Sequence, residues 1–126
     1  MAESTQRNLL GQPLEPCSME PRTGYFRTGC CETDDTDVGR HTVCAEMTAE
    51  FLAFSARRGN DLSTPRPGFA GLKPGDRWCL CAARWKEALA ADVAPPVHLA
   101  STHEEATEVI ARADLLRHAA DSGSLN

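Results

Sequence analysis

Long apolar runs are missing from this chain, and with them any candidate membrane span, since charge or proline interrupts every hydrophobic stretch. The opening MAESTQRNLLG has no apolar core of the kind a secretory leader needs, so a cytoplasmic setting is expected. Aromatics are scarce, with two Trp, one Tyr and four Phe, which leaves much of the core to Leu, Val, Ala and Cys. No Cys-x-x-Cys pair occurs, which argues against the usual zinc ribbons and fingers, where two close ligands must reach one tetrahedral ion. HExxH, a phosphate-binding glycine loop and a dinucleotide fingerprint are also absent, and GLKPG reads as a tight turn. No segment repeats at a fixed period.

What is present is an ordinary globular composition, 41% hydrophobic and 25% charged over 126 residues, with room for one core and not two. A single domain over 8–118 is expected, with 1–7 and 121–126 as flexible termini. The net charge of −5 is spread unevenly. Residues 1–56 carry four basic and nine acidic side chains, residues 57–86 seven and two, and residues 87–126 two and seven. An acidic chain with a basic middle is a poor general nucleic-acid binder. A small anion is the partner that the basic segment could serve, against the plainer reading of a neutralised surface.

Glycine and proline punctuate the first forty residues too often for a long helix or a central strand. Within them, Glu32 to Asp37 reads as an acidic, solvated turn. His41 to Ala45 is either a short strand or the approach to a helix. A helix over 48–58 follows from the spacing of Met47, Phe51 and Phe54, with Thr48 as N-cap and Gly59 as its stop. Asn60 to Gly75 is a proline- and glycine-rich loop, and Asp76 to Ala82 is the best strand. Trp85, Ala88 and Leu89 predict a helix over 83–91, and Val97 to Leu99 a second short strand. Ser101 and Thr102 precede Glu104 and Glu105 in a doubled capping-box pattern, with Leu115 and Leu116 burying a last turn. These elements predict an α+β fold with a small sheet, its central strand near 77–82, a βαβ unit over 76–100 and three to four helices. A compact α/β sandwich is the alternative.

Four stretches carry a family likeness together: NLLGQPLEPC, GCCETDDTDVGRHTVCAEMTAEFLAFS, GNDLSTPRP and GLKPGDRWCLCAARWKEALAADVAPPVHLASTHE. They resemble domain-of-unknown-function family 2237, small and mainly bacterial proteins, over about residues 8–118. The resemblance implies a stand-alone domain of this size and no particular activity. Ala70 and Asp92 depart from the expected proline and glycine. Aspartate tolerates a left-handed helix end better than most residues, so the fold should survive that change.

Two groups of side chains could carry chemistry. In a strand, Cys79 and Cys81 point to the same side and could share a transition metal such as zinc with Cys30, Cys31, His41 or Cys44. The same cysteines could equally be small buried core residues, which is common for free thiols. A disulfide framework is disfavoured by the expected compartment. At least three of the six sulfurs should lie in one neighbourhood. A Cys–His nucleophile built from His41 and Cys44 requires that segment to be helical. His98 and His103 read as a strand-face residue and a solvated first-turn residue. The second group is Asn60, Asp61, Ser63, Thr64 and Arg66, with Lys73 and Arg77 behind, which could hold a carboxylate or phosphate. The competing reading is that Asp61, Ser63 and Thr64 satisfy their own loop backbone. Three functions remain open: a small intracellular binding module for a metal or small anion, a thiol- or metal-dependent enzyme, and a structural or interaction protein whose cysteines are only core.

Overall fold

Residues 6–120 are described by a computed structural model. Apart from residues 6 and 7, the tails expected to be flexible lie outside that range. The regular elements are β1 (His41–Glu46), α1 (Ala49–Arg57), β2 (Arg77–Cys81), α2 (Ala82–Ala90) and α3 (Arg112–Arg117). Two 3-10 turns, Leu99–Ser101 and Glu104–Glu108, lie between α2 and α3. The fold is α+β, and no described helix is long and apolar enough to cross a membrane.

Local chemistry accounts for the helix ends. Thr48 Oγ1 accepts the Phe51 amide at 3.0 Å and starts α1. Asp92, standing where the family pattern leads one to expect glycine, takes φ +64° just beyond α2. The expected capping box after Ser101 does not form, because both hydroxyls are used in tertiary contacts. Ser101 Oγ donates to the Pro16 carbonyl at 2.8 Å, and Thr102 Oγ1 accepts the Cys44 amide at 3.0 Å. His103, buried rather than solvated, caps the second 3-10 turn instead by accepting the Glu105 amide at 3.0 Å. Leu115 is buried, whereas Leu116 faces solvent.

The sheet corrects the expected βαβ pair. β1 and β2 are antiparallel, and β1, not β2, lies in the middle. On its other side β1 meets the segment around Val97, which bridges Ala45 antiparallel. Hydrogen bonds from the Glu46 amide to the Pro96 carbonyl and from the His98 amide to the Cys44 carbonyl, both 2.8 Å, complete that edge. The 96–98 segment therefore runs in the same direction as β2, but with β1 between them. Thr42 to Ala45 are wholly buried, as a middle strand requires.

The sheet has two different sides. Val43, Ala45, Trp78 and Leu80 belong to the main core with Phe51, Trp85 and Ala88 from α1 and α2. The buried indole N–H of Trp85 donates to the Pro95 carbonyl at 3.0 Å. Cys44 and Cys79, directly paired across the strands, form a separate buried cluster with Cys17 and Cys31 from the irregular cover. That cover is held partly by its backbone, with the Leu9 amide bonded to the Thr102 carbonyl and the Glu15 amide to the Ala100 carbonyl. Asn8 adds its side chain, accepting two nearby amides and donating to the Pro13 and Ala100 carbonyls.

Candidate active site

One extra residue on β1 builds the site. Val43 pairs with Leu80 and Cys44 with Cys79, so uninterrupted pairing would set Thr42 opposite Cys81. The register instead shifts between His41 and Val43, and His41 stands opposite Cys81. Because side chains alternate along a strand, this β-bulge turns His41 from the Val43 side to the cysteine side. The ring then reaches its neighbour, with His41 Nε2 3.3 Å from Cys81 Sγ.

The other ring nitrogen is held from below. His41 Nδ1 lies 2.7 Å from Asp37 Oδ1, and the side chain of Asp37 is fully buried. Asp37 Oδ2 accepts from Thr33 Oγ1 at 3.0 Å and from the His41 amide at 2.9 Å. Burial alone would raise the Asp37 carboxyl, but the bonds from the His41 ring, the His41 amide and Thr33 outweigh it and leave it below its usual value. His41 is raised to about 9, first through its bond to Cys81, then against burial and with the help of Asp37. The result is a line of three groups, sulfur, imidazole and buried carboxylate.

Surrounding groups confine this line. Tyr25 stacks on the His41 ring with centroids 5.9 Å apart, and its hydroxyl donates to the Thr36 carbonyl. Gly39 passes so close that an added Cβ would lie 2.9 Å from His41 Cε1 and 3.2 Å from Cys81 Sγ. Cys81 is also the N-cap of α2, so its sulfur sits at the positive end of a helix while remaining partly exposed. The Ala82 amide is taken by the Arg40 carbonyl at 2.9 Å. Those of Ala83 and Arg84 belong to the first turn, where amides have no intrahelical acceptor.

The expected metal ligands divide among three places. His41 and Cys81 form the pair just described, and Cys30 lies apart as a partly buried thiol. Its pKa is raised by burial and by the nearby Glu32 charge, against a bond from Thr28. Cys31, Cys44 and Cys79 join Cys17, a residue outside the expected ligand set. These four pair as the disulfides Cys17–Cys44 and Cys31–Cys79, correcting the expectation of free thiols. The physical reason is the lack of helix or strand in residues 6–40, whose cover is tied to both strands by these links. His41 and Cys44 do not form a pair, because the segment is a strand and Cys44 is bonded to Cys17.

In the loop, the side chains turn inward on themselves. Asp61 Oδ1 accepts the Ser63 and Thr64 amides, and its Oδ2 accepts Thr64 Oγ1 at 2.6 Å. Those bonds, led by the one from Thr64, bring the Asp61 carboxyl down to about 2. Arg66 donates to the Asp61 carbonyl and lies over Phe69, Lys73 pairs with Asp76, and Arg77 stands opposite Glu46 on the strands. A depression of about 450 Å³ nearby is lined instead by Arg22, Arg27, Phe69 and Trp78 among others. None of the seven candidate anion ligands, Asn60 included, lines it. His98 lies on the edge segment, 3.0 Å from Glu46 Oε1.

Fold and site together define a small α+β protein with Cys81 and His41 on one strand pair, Asp37 just before β1, and a four-sulfur cluster beside them. Residues 7–119 match the family described as uncharacterized proteins conserved in bacteria, DUF2237, and the chain belongs to it. No curated protein matches the chain.

Proposed function

We propose that the protein is a cysteine-nucleophile enzyme of the acyl-transfer class, working at Cys81. One observation carries this reading: Cys81 Sγ, the His41 ring and the buried Asp37 carboxylate are joined in line by contacts of 3.3 and 2.7 Å. In this reading His41 holds a proton beside the sulfur, and Asp37 fixes the ring's orientation and supports its charge. The sulfur attacks a carbonyl carbon, forming the S–C bond as the bond to the leaving group breaks. His41 gives its proton to the leaving group. It then takes a proton from the water or other acceptor that releases the acyl group from Cys81. The first-turn amides of α2 offer donors for the oxyanion.

The setting proposed for this chemistry is cytoplasmic, where Cys81 is kept reduced; the same reducing poise acts on the Cys17–Cys44 and Cys31–Cys79 disulfides, which burial shields. An activated aryl ester tests the reading. Incubation should release one equivalent of the phenol in a burst and leave one acyl group, which peptide mass spectrometry should place on Cys81. Cys81→Ser should abolish the burst and Cys30→Ser should keep it. An acyl group found elsewhere, or a burst that survives Cys81→Ser, would refute the assignment.

A further inference from the structure

The four-sulfur cluster is independent of the Cys81 site and has its own chemistry. The sulfurs of Cys17, Cys31 and Cys44 all lie within 4.8 Å of one another, and Cys79 is bonded to Cys31. All four residues are at most 3% exposed. Cys44 and Cys79 face each other across the strands and present their sulfurs from the sheet, while Cys17 and Cys31 descend from the cover. Three of the sulfurs are thus already grouped, and the fourth, from Cys79, is bonded to one of them. Zinc–thiolate bonds of about 2.3 Å place neighbouring sulfurs about 3.8 Å apart, so rotation about the Cα–Cβ bonds, with small backbone shifts, could bring these sulfurs around an ion.

We propose that in the reduced protein Cys17, Cys31, Cys44 and Cys79 form a tetrathiolate site for one thiophilic divalent ion, with zinc as the ion its chemistry favours. The four ligands come from four separate segments, which is why no Cys-x-x-Cys signature announces them. Each disulfide opens by gaining two electrons and two protons from a cellular dithiol, which becomes a disulfide itself. Zinc then displaces four protons from the four thiols. The ion takes over the task of the two cross-links, tying the irregular cover to both strands. Whichever redox state prevails, the cover stays attached.

The test uses the full chain, reduced without oxygen by a phosphine, which becomes its oxide with oxygen from water as each disulfide is reduced. Cobalt(II) titration should saturate at one equivalent, with thiolate-to-cobalt charge-transfer bands and the strong visible bands of a tetrahedral site. Zinc should displace it stoichiometrically and leave only Cys30 and Cys81 reactive toward a thiol reagent. The Cys30→Ser, Cys81→Ser double variant should bind the same single equivalent. Cys44→Ser should lose the tetrahedral spectrum, and circular dichroism with and without zinc should separate lost binding from lost folding. Six reactive thiols in the presence of zinc would overturn the proposal. So would cobalt binding that disappears in the double variant, because that places the ion at Cys81 and His41.

Discussion

Asp37 stays ionised although no part of its side chain meets solvent, because the His41 ring, the His41 amide and the Thr33 hydroxyl all donate to it. That buried charge in turn helps hold a proton on His41, whose folded value of about 9 lies above its ordinary 6.5. A raised value means that the folded state binds the proton more tightly than the unfolded chain does. The stabilisation is complete below pH 6.5 and is lost as pH rises through about 9. Chemical denaturation of the protein and of His41→Asn should therefore differ most at pH 6 and converge toward pH 10; a gap that is the same at both would contradict the shift. The sequence offered His41 as a partner of Cys81 in a metal site and of Cys44 in a nucleophile pair, and the structure sets it beside Cys81. Asp37 was read as one more solvated acid in the run from Glu32, since nothing in that run marks which carboxylate turns inward. Its only local sign was the separation of four residues from His41.

At the level of elements, hydrophobic spacing revealed α1, β2 and α2 with boundaries off by a residue or so. It could not reveal the order of strands, because the crossover from β2 through α2 lands beyond β1, and a spacing pattern carries no record of which strand stands between. Nor could it reveal the bulge at Thr42, on which the site depends. Thr42 is wholly buried, its amide donates to the Arg40 carbonyl at 2.8 Å and its own carbonyl accepts the His103 amide at 2.8 Å. Those bonds lie outside the β1–β2 ladder and hold the extra residue in place. The strand alternation that correctly put Cys79 and Cys81 on one side therefore could not bring His41 to join them.

The whole molecule depends on how its cover is attached. The disulfides close segments of 27 and 48 residues, and loop-closure entropy gives each about 3–4 kcal/mol of stabilisation. Reduction in the presence of a chelator should lower unfolding stability by several kcal/mol, read from the shift in the denaturant midpoint, and an unchanged midpoint would contradict a cover held by these links. The cysteine spacings alone left thiols, ligands and core residues open, because links between four distant segments are not encoded in any short motif. Chemical labelling of the intact, unreduced protein reads all the cysteines together and tests the Cys81 site most directly. Alkylation by iodoacetamide at pH 7 should modify Cys81 at least about tenfold faster than Cys30, as expected of a partly exposed sulfur with the His41 imidazole 3.3 Å away. His41→Asn should remove that advantage at pH 7. Equal rates at Cys81 and Cys30, or a Cys81 rate at pH 7 unaffected by His41→Asn, would contradict a nucleophile activated by the His41–Asp37 pair.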